Sequence, residues 1–183
     1  SFPQPEPRLA VAYCPERILP GAVLRELVEN DRIIGGVSPH ATDRALEFYS
    51  SFVSGHVLTT NAPTAEMVKL TESAYRDVNI ALANELSMLC DHLGISVWDV
   101  IRMANRHPRV DVLNPGPGVG GYRIGIDPYY LVAANPDLAD LCRASRRVNE
   151  RKPEWVVEKV LARAKRFMKP TIACLGLVFK PGV

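Results

Sequence analysis

The fold is decided by residues 61–94, which read NAPTAEMVKLTESAYRDVNIALANELSMLCDHLG. Asn61 can cap a helix and Pro63 can stand in its first turn, and no further proline or glycine occurs before Gly94, a natural residue to end a helix. The spacing predicts a single helix of roughly 45 Å at 1.5 Å per residue. Its apolar stripe comprises Met67, Leu70, Ala74, Val78, Ala81, Leu82, Leu86, Leu89 and Leu93. Such a long helix usually buries both flanks, often against a second subunit, so we expect a homodimer through it.

Shorter elements are predicted on both sides of this helix. Short apolar runs indicate strands at residues 9–13, 32–37, 57–60 and 171–177. Ser38 and Ser96 are candidate N-caps, and Pro153 suits the first turn of a helix. Helices are therefore expected from Ser38 to about residue 52, from Ser96 to about residue 105, from Asp127 to about residue 135, and over 137–152 and 153–167. The chain is predicted to be mainly α, with short strands at both ends.

The composition is that of an ordinary globular protein. Hydrophobic residues make up 47% and charged residues 23% of the 183 residues, which suffices for a core. The formal net charge of +2 is too small to indicate a nucleic-acid or membrane partner, and no apolar run is long enough to span a bilayer. The cysteines and histidines have no metal-ligand spacing, so we expect no metal site and free thiols in a cytoplasmic protein. They are Cys14, Cys90, Cys142, Cys174, His40, His56, His92 and His107.

A glycine-rich loop at residues 116–121 matches the pattern G-x-G-x-x-G literally. The dinucleotide fingerprint needs a strand before it and a helix opening at its last glycine. Here the residues before the loop end in Pro115, and Pro117 removes one of the N–H donors that would hold phosphate. The pattern favours instead a flexible loop whose backbone a substrate can approach closely.

Several further blocks lie in a fixed order along the chain. They are AYCPER at 12–17, AEMVKLTE at 65–72, RDVNI at 76–80, NEL at 84–86, NRHPRV at 105–110, PGPGVGG at 115–121, Asp127-Pro128 and the segment 176–181. Together they resemble the UDP-glucose/UDP-N-acetylmannosamine dehydrogenase family. Within that family the resemblance is closest to the branch that oxidises UDP-N-acetylmannosamine.

The resemblance implies a domain organisation, a cofactor and a substrate. Residues 1–60 would be the tail of an N-terminal NAD-binding Rossmann-like domain, 61–167 the helical central dimerisation domain, and 168–183 the first strand of a C-terminal UDP-binding domain. The short strands would thus be left over from two truncated Rossmann-like domains. The family uses NAD and a UDP-sugar, but a chain without the fingerprint is expected to bind no NAD alone.

The resemblance also assigns catalytic roles. Glu16 matches the glutamate that helps to activate water for thioester hydrolysis, Lys69 the lysine that stabilises oxyanion charge, and Asp127 the aspartate that assists base chemistry. The family's catalytic cysteine follows Gly-Gly-His, where this chain has Arg123, and Ser73 stands where the family has an asparagine. Alternative interpretations remain: Glu16 satisfied by Arg17 or backbone, Lys69 solvated on a helix, and Asp127 an N-cap.

Other matching positions are expected to contact the sugar nucleotide, Arg109 from across the dimer. They are Arg17, Arg109, Gly118, Gly120, Gly121, Phe179 and Lys180. Arg123 is expected to pair with Asp127 and to occupy the sugar pocket. Cys14 is the one cysteine near a family motif, but it reads better as a small core residue than as a replacement nucleophile.

Two functions follow. In the first, the chain is a fragment or variant of an NAD-dependent UDP-sugar 6-dehydrogenase that forms UDP-N-acetylmannosaminuronate, inactive alone because Arg123 replaces the cysteine. In the second, it is a catalytically dead module that dimerises and binds a sugar nucleotide.

Overall fold

The computed structural model describes residues 9–19, 21–121 and 123–176. Within these ranges it has three strands and six helices, and the chain divides into two compact units, residues 1–71 and 72–182. The elements are β1 (Ala12–Tyr13), α1 (Val23–Glu29), β2 (Arg32–Gly36), α2 (Pro39–Ser50), β3 (Val57–Asn61), α3 (Ala62–Leu93), α4 (Val97–Ala104), α5 (Asp127–Ala134) and α6 (Asp140–Ala164).

The first unit is built around a small sheet with the strand order β1-β2-β3. β1 runs antiparallel to β2, whereas β2 and β3 are parallel and are joined through α2, as a parallel pair requires a crossover. All five residues of β2 are buried, and Ile34 is fully enclosed. A Cβ added to Gly35 would lie 2.5 Å from the backbone oxygen of Asn61. Glycine is therefore required for β2 to lie this close to the end of β3.

The helix starts that polar caps predict are confirmed. Ser38 Oγ accepts a hydrogen bond from Ala41 N at 3.2 Å, and Ser96 Oγ accepts one from Asp99 N at 3.3 Å. The predicted strands at 32–37 and 57–60 correspond to β2 and β3, while the strand predicted at 9–13 is reduced to the two residues of β1. Helix α1 was not predicted, because its N-cap, Ala22, makes no side-chain capping bond and so gives no signal in the sequence.

Helix α3 has the predicted length. It runs for 32 residues, Asn61 Oδ1 caps it by accepting a hydrogen bond from Thr64 N at 2.9 Å, and Gly94 ends it with a φ of +71°. The left-handed conformation of Gly94 costs a glycine little.

The apolar stripe predicted for α3 is only partly buried within the single chain, and its burial against a second subunit stays a prediction. Small Ala74 and Ala81 are buried, but much of the predicted stripe is exposed: Met67, Leu82, Leu89 and Leu93. The buried side chains include a polar row comprising Lys69, Ser73, Asp77, Asn84 and Ser87. Polar groups are buried at low cost when hydrogen-bonded, and each of these has a hydrogen-bond partner.

Residues 140–164 form one helix, α6, and the predicted break at Pro153 is wrong. A proline inside a helix costs about 3 kcal/mol because it removes a hydrogen bond and crowds the preceding turn. Contacts on both sides of Pro153 offset that cost, since Asn149 before it is hydrogen-bonded to Asp77 of α3 and Lys159 after it is paired with Asp91 of α3. The helix continues because the surrounding protein holds both of its halves.

Residues 171–176, the described part of the strand predicted at 171–177, form no strand in this chain, and their role in a further domain stays a prediction. Residues 171–176 are irregular and exposed, and Leu175 is 94% exposed. A strand needs a neighbouring strand for its backbone hydrogen bonds, and the described residues provide none here. Residue 177 lies outside the described residues. No helix in the described ranges is long and apolar enough to cross a membrane.

Candidate functional site

Glu16 and Lys69 meet in the first unit. Glu16 follows β1, and its Oε1 accepts hydrogen bonds from the backbone N–H groups of Arg17 at 2.6 Å and Ile18 at 2.7 Å. Lys69 is 7% exposed, and its Nζ donates to the backbone oxygen of Glu16 at 2.6 Å. The alternative of a solvated lysine is therefore wrong. The backbone contacts of Glu16 match its structural interpretation, and its catalytic role stays a prediction.

Arg32 is a neighbour of Glu16 that the sequence did not identify. It is 3% exposed at the start of β2, its Nη1 lies 3.6 Å from Glu16 Oε2, and its Nη2 donates to the backbone oxygen of Leu27 at 3.2 Å. Its guanidinium also stacks on the Tyr49 ring at 5.2 Å. The sequence indicated Arg32 only as an arginine at the start of an apolar run that is predicted to be a strand. The pair adds a fixed positive charge beside the Glu16 carboxylate.

Cys14 and Arg17 lie close to Glu16 along the chain. Burial raises the pKa of the Cys14 thiol above its ordinary value, although Tyr49 and Arg32 act in the opposite direction. A raised pKa disfavours the thiolate, which is the reactive form, so Cys14 is a poor replacement nucleophile. Arg17 is exposed, and its Nη1 donates to the backbone oxygen of Asp31 at 3.4 Å.

In the second unit, Ser73 and Asp127 form a buried hydrogen-bonded pair. Ser73 is fully buried on α3, Asp127 is 8% exposed, and Ser73 Oγ donates to Asp127 Oδ2 at 2.6 Å. Asp127 is not the N-cap of α5, because Ile126 occupies that position and Asp127 is the first helical residue. The N-cap alternative is therefore wrong, and the carboxylate is held instead by a side chain from another helix.

Arg123 lies on the turn that leads into α5. Its side chain is exposed, and its backbone oxygen accepts a hydrogen bond from Asp127 N at 2.9 Å. The expected ion pair between Arg123 and Asp127 is not found among the ion pairs of the described residues, and the Asp127 carboxylate binds Ser73 instead. The backbone contact nevertheless fixes position 123 one helical turn before Asp127.

The glycine loop is anchored at two points within the second unit. Gly116 N donates to Asn84 Oδ1 at 3.0 Å, and a Cβ added to Gly118 would lie 3.1 Å from Cγ of Pro153. Gly121 has a φ of +97°, which disfavours any residue with a side chain. Packing thus explains the glycine at position 118, and backbone conformation explains the glycine at position 121.

The other expected contacts with the sugar nucleotide are less constrained. Arg109 is exposed, and its backbone N–H donates to His107 Nδ1 at 3.3 Å. Its contact with a sugar nucleotide across a dimer stays a prediction. Phe179 and Lys180, like Tyr122, lie outside the described residues.

A buried polar network of Asp77, Asn84, Ser145, Arg146 and Asn149 joins α3 to α6. Asp77 is fully buried and accepts hydrogen bonds from Ser145 Oγ at 2.9 Å, Arg146 Nη1 at 2.7 Å and Asn149 Nδ2 at 2.8 Å. Asn84 Nδ2 donates to Asn149 Oδ1 at 3.0 Å. Residues 73, 77 and 84 lie on one side of a helix, but nothing in the sequence indicates that this polar side is buried. The network connects α6 through Asn84 to the glycine loop.

Arg146 is the buried cation of this network. Burial alone would lower the pKa of Arg146, but the Asp77 carboxylate and the Tyr129 hydroxyl outweigh it, and the pKa lies above its ordinary value. Its Nη2 also lies 3.4 Å from Glu150 Oε1. Arg146 therefore stays charged and depends on Asp77 for its compensation.

The described residues do not fit the pyrophosphate of NAD. The glycine loop follows no strand, α5 begins only at Asp127, and Gly118 packs against Pro153. At the turn between β2 and α2, a Cβ at Gly36 would lie 2.4 Å from Thr42 N, so this glycine serves the packing of the chain itself. The described side chains also contain no cluster of ligands suited to a metal ion.

Two family models match the chain. Residues 63–151 match the central domain of the UDP-glucose/GDP-mannose dehydrogenase family, and residues 4–53 match the NAD-binding domain of the same family. The two matched segments follow each other in the order of the two units described above.

Proteins of the same kind align over nearly the whole chain. An NDP-N-acetyl-D-galactosaminuronic acid dehydrogenase from Ralstonia nicotianae is 56% identical over 100% of the chain and 44% of its own length. A UDP-N-acetyl-D-mannosamine dehydrogenase from Campylobacter jejuni is 54% identical over 96% of the chain and 43% of its own length. The chain thus spans less than half the length of these curated relatives.

Solved structures agree with these matches. A UDP-N-acetyl-mannosamine dehydrogenase from Staphylococcus aureus superposes with a TM-score of 0.83 at 45% identity, over 95% of the chain and 40% of that structure. A UDP-D-ManNAc dehydrogenase from Pyrococcus horikoshii gives 0.80 at 47% identity, over 86% and 38%. Sequence and fold therefore lead to one conclusion: the chain belongs to the UDP-glucose/GDP-mannose dehydrogenase family.

Proposed function

We propose that the chain is a fragment or variant of an NAD-dependent UDP-sugar 6-dehydrogenase that converts UDP-N-acetylmannosamine to UDP-N-acetylmannosaminuronate, and that it is inactive alone. The observation that carries the second part is Arg123. Its backbone is bonded to Asp127 N at the start of α5, so an exposed guanidinium occupies the place that the resemblance gives to the catalytic thiol.

The chemistry explains why this substitution matters. Oxidation of a primary alcohol to a carboxylate takes two hydride transfers, and the second passes through a thioester on a cysteine. A guanidinium stays protonated at ordinary pH and cannot attack an aldehyde. Position 123 in this chain therefore cannot supply the nucleophile, whereas the first oxidation needs no thiol.

Other residues retain features that their proposed roles require. Lys69 is a buried ammonium held against the backbone of Glu16, and such a fixed donor can stabilise negative charge on a substrate oxygen. Asp127 is a buried carboxylate whose Oδ2 accepts a hydrogen bond from Ser73 Oγ. This bond orients the carboxylate and satisfies one of its oxygens. An asparagine at position 73 would offer an amide donor and acceptor in place of one hydroxyl.

The nature of the sugar is supported by the names of the relatives. Those from Campylobacter jejuni and Escherichia coli are named for UDP-N-acetyl-D-mannosamine, while the one from Ralstonia nicotianae is named for an N-acetyl-D-galactosaminuronic acid. An N-acetylated amino sugar is common to all three. We propose the mannosamine derivative as substrate and the galactosamine derivative as the comparison in each assay.

The test restores the family's residues in a full-length protein. Arg123→Cys combined with Tyr122→His and Ser73→Asn should give NADH formation with UDP-N-acetylmannosamine, approaching two NADH per sugar oxidised. The matched control replaces Arg123→Cys by Arg123→Ala, which removes the guanidinium without adding a thiol, and should not complete the second oxidation. Absence of turnover in a folded triple variant, or full oxidation by the protein with Arg123, would contradict the proposal.

A second candidate function is a catalytically dead module that dimerises through α3 and binds a sugar nucleotide. It is favoured by three exposed apolar side chains at seven-residue intervals, Tyr75, Leu82 and Leu89, which is the spacing of a helix–helix seam. Leu93, 67% exposed, extends the same side of the helix. An exposed apolar row of this kind is typical of a surface that another helix covers.

Light scattering coupled to size exclusion tests the dimer. The chain should elute as a dimer, and Leu82→Glu with Leu89→Glu should convert it to a monomer at the same concentration. Leu138→Glu is the matched control, since Leu138 is 85% exposed and belongs to the connection between α5 and α6. A monomeric unmodified chain would count against the module.

A further inference from the structure

A cavity of about 360 Å³ lies entirely within the second unit. Its aromatic walls are Trp98 of α4 and Trp155 of α6, which are both of the tryptophans in the sequence. Pro115 and Pro117, at the start of the glycine loop, add apolar surface, as do Ile95 and Val97. This volume lies within the range of sites that hold small organic molecules.

The polar end of the cavity is formed by Lys152 and Ser87. Lys152 is 3% exposed, its Nζ donates to Ser87 Oγ, and the same Nζ lies 4.1 Å from the centroid of the Trp155 ring. Ser87 in turn donates to the backbone oxygen of Asn84 at 2.7 Å. An ammonium carries three N–H donors, so these neighbours leave Lys152 able to donate to a ligand.

The charges around the cavity do not balance. Asp91, which also lines the cavity, is paired with Lys159. Among the ion pairs of the described residues, none joins a carboxylate to Lys152 within 4.0 Å. Lys152, Lys159 and Asp91 therefore sum to one excess positive charge, and buried ammonium groups ordinarily have a counter-ion.

We propose that this cavity binds a small monocarboxylate with a flat apolar body, its carboxylate on Lys152 and its body against Trp98 and Trp155. One excess positive charge matches one carboxylate, and the aromatic and proline walls match an apolar ring. A phosphate group would bring more charge than a single ammonium balances and would leave the apolar walls without a partner. The site is independent of the function proposed above.

Occupancy of the cavity would act on the glycine loop. Pro115, Gly116 and Pro117 line the cavity, and Gly116 N is bonded to Asn84, the residue whose backbone oxygen accepts from Ser87. A ligand in the cavity would therefore contact the first part of the loop that carries Gly118 and Gly121. This links the cavity to the loop through hydrogen bonds within one unit.

The two tryptophans make the test direct, because the intrinsic fluorescence of this chain reports on the cavity. Benzoate titrated at constant ionic strength should give a saturable change, whereas benzamide, its uncharged analogue, and inorganic phosphate should bind at least about tenfold more weakly. Equal binding of benzamide would remove the role of Lys152, equal binding of phosphate would indicate a general anion site, and a change that does not saturate would exclude a site. Each of these three results would overturn the proposal.

Variants locate the charge that binds. Lys152→Met should weaken benzoate binding at least about tenfold, while Arg151→Met, which removes an exposed positive charge from the adjacent position of α6, should leave it within about twofold. Asp91→Asn removes the negative charge from the cavity at a surface position and should tighten binding, so the proposal stays testable if Lys152→Met fails to fold. Unchanged or weaker binding by a folded Asp91→Asn variant would contradict it.

Discussion

Replacing Asp77 by alanine is expected to destabilise the second unit far more than replacing an exposed aspartate of the same unit. Asp77 is fully buried and accepts hydrogen bonds from Ser145, Arg146 and Asn149 at 2.7–2.9 Å. Asp77→Ala would leave the Arg146 guanidinium buried, with its main counter-charge removed.

The magnitude follows from what Arg146 retains. Removing one partner of a buried ion pair costs about 3–5 kcal/mol. Arg146 keeps Glu150 at 3.4 Å and the Tyr129 ring at 5.5 Å, which are weaker contacts than Asp77 at 2.7 Å. We therefore expect a loss near the lower end of that range, about 3 kcal/mol in the free energy of unfolding.

Urea unfolding followed by tryptophan fluorescence measures this loss, because Trp98 and Trp155 both lie in the second unit. The control is Asp140→Ala, which removes a pair with Arg143 in which the aspartate is 85% exposed, and should cost less than about 1 kcal/mol. The double variant with Arg146→Met should recover about 1 kcal/mol or more relative to the sum of the single changes. A cost for Asp77→Ala no larger than that of Asp140→Ala would refute the reasoning.

Three further changes have expected results. Gly35→Ala should destabilise the first unit by more than about 2 kcal/mol, because the added Cβ would overlap the backbone of Asn61. Gly116→Ala is the control and should fit, since the atom nearest to its added Cβ lies 3.7 Å away. Thermal unfolding compares the two variants. Ser73→Ala should cost about 1–3 kcal/mol in urea because it leaves a buried carboxylate without its donor, and Thr171→Ala, at an exposed position, should cost under about 0.5 kcal/mol. Burial lowers the pKa of Lys152 below its ordinary value of 10.5. The native chain therefore gains stability relative to Lys152→Met as the pH rises from that lowered pKa to 10.5. Urea unfolding across this pH window should show the gain, and a constant difference in the free energy of unfolding would contradict it.

The parts of the fold that depend on local chemistry were predictable. Asn61, Pro63 and Gly94 act within a few residues of where they stand, and they define both ends of α3. The continuity of α6 through Pro153 was not predictable, because it depends on contacts with residues far away in the sequence. The same holds for the buried polar row on α3, because its hydrogen-bond partners lie far away in the sequence.

The candidate site divides in the same way. Ser73 and Asp127, which the family resemblance had singled out, form a hydrogen-bonded pair. Lys69, which the helix pattern alone would place in solvent, is buried. The Asp77 network and the cavity at Lys152 could not be predicted, since each brings together side chains from α3 and α6 whose spacing along the chain is irregular. Hydrogen-bond partners that are distant in sequence leave no periodic signal.

The contact between Gly118 and Pro153 has a consequence for the history of the family. Because a Cβ at position 118 would lie only 3.1 Å from Cγ of Pro153, a side chain there requires the proline ring to shift by a few tenths of an ångström, while a smaller residue at 153 opens the space. Positions 118 and 153 should therefore covary among homologues. A residue larger than glycine at 118 is expected more often where the proline at 153 has been replaced by a smaller residue.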